Sequence, residues 1–239
     1  MEVYDYKEAE FKMTKICAFS DIHGQLGFKI EPCDVALICG DIMPLEIQRD
    51  ILGSMEWLRD VFVPWCEELP CEKVLFIGGN HDFVCEKNWQ GIKRMLEGND
   101  KVAHLYLETY EFNGLKIFGT PFCHKFYNWA FMPTDEFQDE YYNKLIDEGL
   151  EADIVMSHDA PYGTSDVIMQ EGWPYADGSH IGSVPLRDFI LKLKPKVVVK
   201  GHLHSTNREV EKLGDTDVRS VSLLNENYNM VYKPTYFEI

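Results

Sequence analysis

The sequence lacks any apolar run near the roughly 20 residues that a bilayer helix needs. Its apolar stretches, such as 35–39 and 197–199, are far shorter, so no membrane span is expected. Residues 1–12 are polar and acidic, with neither an apolar run nor a small-residue cleavage site, so no secretory signal is expected, and Met13 would serve as an alternative start. The seven cysteines form no C-x-x-C pair, and an odd number scattered over a large acidic chain is a poor disulfide framework, which points to the cytoplasm. Positive charge is scarce: 23 Lys and Arg stand against 40 Asp and Glu, a formal net charge of −17. Such a chain repels polyanions at long range, so neither long nucleic acid nor an anionic membrane is an expected partner. A small phosphorylated substrate is compatible, because a buried pair of metals would make one pocket locally positive. There is no internal repeat, no Gly/Ser or Pro-rich linker and no low-complexity tract, so residues 1–239 are expected to form one continuous domain.

What is present is enough apolar material for a core, 45% hydrophobic residues with 13% aromatics, arranged as a recurring unit of an apolar strand that ends in polar residues. Residues 16–19 run into Ser20-Asp21-Ile22-His23-Gly24, residues 35–38 into Gly40-Asp41, and residues 74–77 into Gly78-Gly79-Asn80-His81-Asp82. Downstream, 154–156 end at Ser157-His158 and 197–199 at Gly201-His202-Leu203-His204. Between them, Ile51, Met55, Leu58, Phe62 and Trp65 keep one apolar helical face that Pro64 should kink or restart. Val184, Phe189, Ile190 and Leu193 predict another helix, closed by Pro195. Asn113-Gly114 between apolar flanks predicts a hairpin over 110–118, and the tail from Asn207 reads as strands with a Gly214-Asp215 turn. Alternating strands and helices with a more antiparallel end imply an α/β sandwich rather than a bundle.

Functional loops in open α/β sheets lie beyond the carboxyl ends of the strands, so the five strand-end motifs should converge on one surface. Asp21, His23, Asp41, Asn80, His158, His202 and His204 would bring carboxylate oxygen, amide oxygen and imidazole nitrogen together, the donors that borderline and hard divalent metals accept. No cysteine belongs to the set, which favours manganese, iron, zinc or magnesium over a structural thiolate zinc. In Asp21-x-His23 and His202-x-His204, side chains two apart share a face of extended backbone and can turn to one cluster. Two divalent ions would bring about +4 and the two carboxylates about −2, leaving the cluster positive by about two, enough to bind a hydroxide and one phosphoryl oxygen. Any one of these histidines alone reads as a surface or satisfied core residue; the ordered set of five motifs is what points to a metal site.

That ordered set, D-x-H, G-D, G-N-H-[DE], H and G-H-x-H, resembles the calcineurin-like metallophosphoesterase superfamily. The resemblance implies a four-layer α/β/β/α sandwich, two mixed β-sheets flanked by helices, and a binuclear centre with two divalent metal ions, manganese being the first to supply in vitro. It implies Asp21, His23 and His204 on one ion, Asn80, His158 and His202 on the other, and Asp41 bridging. His81 would be the proton donor to the leaving oxygen and Asp82 the acid that orients it, with a bridging hydroxide as nucleophile. Residues 126–131, Ser157-His158-Asp159-Ala160-Pro161, His180-Ile181-Gly182 and Tyr232-Lys233-Pro234 are similar to the small class III-type metallophosphodiesterases, which include brain-expressed members, implying a phosphodiester or a cyclic nucleotide as substrate. Gly40-Asp41 is followed by Ile42-Met43-Pro44 and not by the Asp-Arg-Gly of Ser/Thr protein phosphatases, which disfavours a phosphoprotein substrate.

Phe122, Phe126, Tyr127, Trp129 and Phe131 would stack on a nucleobase or, as the plainer reading, pack on the sandwich. His124, Asn128 and His180 read as exposed polar groups on loops. Two other functions compete with a small-molecule phosphodiesterase or phosphatase: a nuclease of the same superfamily, disfavoured by the absence of a Lys/Arg-rich stripe, and a catalytically silent protein-binding scaffold, disfavoured by intact ligands and an intact His81.

Overall fold

The computed structural model describes residues 13–174 and 176–239; the N-terminal segment 1–12, expected to carry no secretory signal, lies outside them. One sheet contains β1 (Lys15–Phe19), β2 (Cys33–Cys39), β3 (Cys71–Ile77), β4 (Val102–His104) and β11 (Thr235–Glu238), in the order β11-β1-β2-β3-β4. The second contains β5 (Glu108–Phe112), β6 (Leu115–Thr120), β7 (Ile154–Ser157), β8 (Val197–Lys200), β9 (Glu211–Leu213) and β10 (Thr216–Ser220), in the order β5-β6-β7-β8-β10-β9. Both sheets are mixed: parallel pairs fill their centres, and β11, β5 and β9 join antiparallel at edges.

The period-2 alternation of side chains explains the layers. From β1, Ile16 and Ala18, with Leu37 of β2, face the other sheet, where they meet Ile117, Met156 and Val199. Cys17 and Phe19 point outward to Ile38, Phe62 and Phe76 under the first group of helices, α1 (Ile51–Trp57), α2 (Val63–Glu68), α3 (Phe83–Lys87) and α4 (Trp89–Met95). On the far side Phe118, Val155 and Val198 pack beneath α5 (Asp135–Asp147) and α6 (Val184–Leu193). The result is the expected α/β/β/α sandwich, with central strands buried on both faces.

Local chemistry accounts for the element boundaries. Asn113 and Gly114 take positive φ of 50° and 78°, the geometry of the tight turn joining β5 to β6. Asp50 caps α1 by accepting from the backbone N–H groups of Leu52 and Gly53, and Thr134 and Ser183 cap α5 and α6 in the same way. The helix expected to break at Pro64 adjusts one turn earlier: residues Leu58–Phe62 form a π turn in which Val63 N–H reaches the Leu58 carbonyl. Proline has no N–H and crowds the carbonyl four residues back, so the wider turn lets the chain continue into α2. No helix among the described residues is long and apolar enough to cross a membrane.

His104, at the end of β4, is buried with neither ring nitrogen hydrogen-bonded, and its ring lies 4.8 Å from that of Phe76. Burial, aided by Lys93, depresses its pKa to about 3. The unfolded chain takes up the proton near pH 6.5 and the folded one does not, so stability is full above that pH and falls as pH drops towards 3. His104→Phe should therefore remove about 3 kcal/mol of the stability otherwise lost between pH 7 and pH 4. Urea midpoints at the two pH values test this, and identical pH dependence in both proteins would refute it.

Candidate metal centre

Each expected ligand sits on a loop that leaves a parallel strand at its carboxyl end. Asp21 and His23 follow β1, Asp41 follows β2, Asn80 and His81 follow β3, His158 follows β7, and His202 and His204 follow β8. Backbone bonds stitch these loops together: Asp21 N–H donates to Gly40 O (3.0 Å), His23 N–H to Asp41 O (3.0 Å) and Gly201 N–H to His158 O (3.1 Å). Asp21, His23, Asp41 and His202 all take positive φ, between 41° and 66°, a region costly for residues with a Cβ. Gly40, at φ +88°, leaves no room for a Cβ, which would collide with His158 Nδ1, and a Cβ on Gly79 would meet the Asp41 carboxylate. The backbone is thus drawn in tightly around the side chains.

Four groups of three side chains bring their donor atoms within 4.8 Å of one another: Asp21, His23 and His204; His23, Asp41 and His81; Asp21, Asp41 and His158; and Cys123, His158 and His202. They share members and form one continuous cluster, which Asn80 joins through its Oδ1, 3.0 Å from His158 Nε2. All the residues expected as ligands are therefore assembled. Cys123, outside the expected set, brings its sulfur up to His158 and His202, although its thiol also leans on Pro121 O at 3.7 Å.

Two carboxylates, Asp21 and Asp41, are 0% and 1% exposed, and among the described residues only imidazoles form ion-pair contacts with them. His204 Nε2 is 3.3 Å from Asp21, and His158 Nε2 is 3.3 Å from Asp41. Each of these rings donates its Nδ1–H to a backbone carbonyl, His158 to Cys39 and His204 to Asn225, which turns Nε2 inward in the manner of a supported metal ligand. Burial opposes protonation of both rings, yet Asp41 beside His158 and Asp21 beside His204 overcome it and raise their pKa values to about 10 and about 9. His23 and His202 are instead pushed down by burial, to about 4 and about 3. His23 has both ring nitrogens buried without a hydrogen-bond partner. An orphaned imidazole beside two buried carboxylates, whose ion-pair partners among the described residues are imidazoles alone, is the donor chemistry that a divalent cation satisfies.

His81 and Asp82 separate. The ring of His81 packs 4.4 Å from that of Trp129, its Nε2 lies 3.9 Å from Asp41, and its Nδ1 meets Gln48 Oε1. Asp82, expected beside that ring, accepts instead from the backbone N–H groups of Ile42 (3.0 Å), Met43 (2.9 Å) and Gly79 (2.8 Å). It ties the loop carrying Asp41 to the loop carrying Asn80. Sequence reasoning missed Gln48 because it lies in an irregular segment with no motif around it. It also missed His124 as a member of the site: Asp159 holds this ring at 3.0 Å, and the ring lines the same cavity. His180 is bound at 2.6 Å to Asp166, and Asn128 gives only its carbonyl, to Arg49.

The cluster opens into a cavity of about 570 Å³ whose walls include Phe126, Tyr127, Trp129, Trp173 and Tyr228. The aromatic stretch therefore divides. Phe122 and Phe131 are buried among Tyr141, Tyr142 and Tyr106, whereas Phe126, Tyr127 and Trp129 face the cavity. Among the described residues, no Lys or Arg lines it.

The calcineurin-like phosphoesterase family model matches residues 14–206. The chain is 26% identical over 249 residues to human metallophosphoesterase domain-containing protein 1, covering 95% of this chain and 71% of that protein, and the mouse protein matches equally. Among solved structures, TT1561 of Thermus thermophilus superposes with a TM-score of 0.57 at 15% identity, covering 87% of this chain and 89% of that one. Phosphopantetheinyl hydrolase from Mycobacterium tuberculosis superposes with a TM-score of 0.52 at 14% identity, covering 90% of each chain. At such identities the two structures establish a shared fold.

Asp82→Ala would leave three buried N–H groups without an acceptor and should cost about 3 kcal/mol or more of stability. Denaturant unfolding measures this. Wild-type stability in the variant would show that the carboxylate does not brace the two loops.

Proposed function

The chain belongs to the calcineurin-like phosphoesterase family, and from that premise we propose that it hydrolyses a phosphodiester of a small molecule or nucleotide at a centre of two divalent cations. The observation that carries the reading is the continuous cluster in which Asp41 lies between the His23 and His158 groups. We assign Asp21, His23 and His204 to one ion, Asn80, His158 and His202 to the second, and Asp41 to both. Manganese, iron, zinc and magnesium all suit these oxygen and imidazole donors. When bound, the ions supply the Lewis acidity that polarises a phosphoryl oxygen and acidifies a water.

The chain's own groups do the rest. His81 faces the cavity and, as the imidazolium with its second proton on Nε2, is assigned the proton that the leaving oxygen takes; Gln48, accepting at Nδ1, fixes the ring, and Trp129 buttresses its face. The aromatic walls would hold an apolar or nucleobase-bearing leaving group and exclude water from it. A monoester dianion gains from extra cations, whereas a diester carries one charge; a lining without Lys or Arg therefore favours the diester. The same acidity and the confined cavity argue against long nucleic acid. Seven free thiols among the described residues suit a reducing compartment, and we assign the protein to the cytoplasm on that ground.

Purified protein supplied with manganese should cleave bis-p-nitrophenyl phosphate with a higher kcat/KM than p-nitrophenyl phosphate. Chelator should abolish that activity, and Asp41→Asn should lower kcat/KM by about 100-fold or more while reducing bound metal. Retention of full activity after chelation would remove the metal mechanism, and a preference for the monoester would remove the diester assignment. His81→Ala should cost about 10² to 10⁴ on a diester with an alkoxide leaving group and far less on one that expels p-nitrophenolate. Equal losses on both would remove His81 as proton donor.

A further inference from the structure

Beside the metal centre lies a second cavity, of about 370 Å³, whose lining includes Gln170, Asn207, Arg208, Asn225 and Tyr232 and, among the described residues, no Asp or Glu. That absence stands out in a chain with 40 acidic residues. Arg208 is half-buried in the wall, its guanidinium stacked 4.5 Å from the centre of the Tyr232 ring. Among the described residues it makes no ion pair, and its one hydrogen bond, to Ser220 Oγ, is long at 3.5 Å. Its planar fork of N–H donors is held in position and left largely without acceptors. Beneath the floor, Lys200 is fully buried and donates to Thr206 Oγ1 at 3.1 Å, with no carboxylate at ion-pair distance among the described residues.

The amides of the lining complete the pattern. Gln170 uses its side-chain oxygen to accept from Ser205 Oγ at 3.3 Å. Asn225 uses its own to accept from the N–H groups of Asn227 (3.0 Å) and Asn229 (3.1 Å). Among the described residues neither NH₂ group meets an acceptor. A cavity that offers a guanidinium and two amide donors, with a second cation below and no carboxylate among its described lining residues, is built for a negative ligand with planar or tetrahedral oxygens. Its size suits a small metabolite.

We propose that this cavity binds a small oxyanion, a phosphoryl or carboxyl group, on the Arg208 guanidinium with support from Gln170 and Asn225. The site is separate from the metal centre but shares a wall with it: Ser205 follows His204, and the Asn225 carbonyl accepts from His204 Nδ1–H.

Calorimetric titration of metal-loaded protein with inorganic phosphate and, separately, with succinate tests the proposal. The Asp41→Asn variant separates this cavity from uptake at the metal centre, because binding here should survive that change. Arg208→Gln should weaken it at least about tenfold, the expected loss of a charged hydrogen-bonded pair. Gln170→Glu, which adds a carboxylate opposite the guanidinium without removing it, should do the same and decides the matter if Arg208→Gln fails to fold. A phosphate-only or succinate-only response identifies the ligand class. No anion uptake by Asp41→Asn, or affinities in Arg208→Gln and Gln170→Glu within twofold of wild type, would overturn the proposal, and either result would leave the phosphoesterase reading untouched.

Discussion

Two buried carboxylates whose ion-pair partners among the described residues are all imidazoles set the terms for the rest of this molecule. Taking Asp21 and Asp41 out of water costs several kcal/mol each unless positive charge is supplied on the spot. Among the described residues no Lys or Arg comes within ion-pair distance of them; His158 and His204 do, their pKa values raised by those same carboxylates, and a divalent cation would supply the charge more completely. Holding five loops close enough for this requires backbone that ordinary residues resist. Positive φ at Asp21, His23, Asp41 and His202, and the lack of space for a Cβ at Gly40 and Gly79, are the local cost of that proximity. It is offset by the burial of central strands between two sheets and by braces such as Asp82, whose carboxylate gathers three backbone N–H groups from two loops.

What was legible in the sequence was whatever is encoded by a short local pattern. The strands at 16–19, 35–38, 74–77, 154–156 and 197–199 all form, lengthened by one to three residues, because each is an apolar run stopped by glycine or a polar cap. Asn113-Gly114 specifies its turn through φ preference alone. The residues of the cluster could be picked out because donor type and strand-end position are both sequence properties. Three things were not legible. The π turn before Pro64 is a compromise between a proline and a continuous apolar face, and no single residue marks it. β4 is three residues long, and its pairing with β3 is decided by tertiary packing. The partners of the site residues depend on which loops meet: Asp82 follows His81 directly, yet its carboxylate accepts from backbone N–H groups, while Gln48, 33 positions away, reaches the ring.

The aromatic stretch shows how a residue pattern can have two destinations at once. Phe122 and Phe131 satisfy the packing reading, and Phe126, Tyr127 and Trp129 reach the cavity. Trp129 does both jobs, carrying the His81 ring on one side while Arg49 lies over it at 4.9 Å, a cation that directs its charge at Trp129 and Phe83 and is not among the residues lining the cavity. The cavity thus keeps an apolar rim above a polar floor. Under the proposed reading, that combination selects for the part of the substrate that leaves, while the cluster handles the phosphoryl group that all substrates share.

The family match ends at residue 206, yet the segment beyond it reaches back into the site. Asn225 orients His204, Glu226 and Tyr228 line the main cavity, and Glu226 accepts from the Ser205 N–H at 2.9 Å. The same segment supplies Arg208, Asn225 and Tyr232 to the second cavity. A chain turning back at 203–206 and again at 225–232 therefore forms a thin partition with a different cavity on each face. Side chains in such a partition are constrained from both directions, since a shift that improves packing on one side moves His204 or its carbonyl support on the other. Under the proposed reading the motif residues carry the chemistry, and the partition ties the shape of the second cavity to the position of His204.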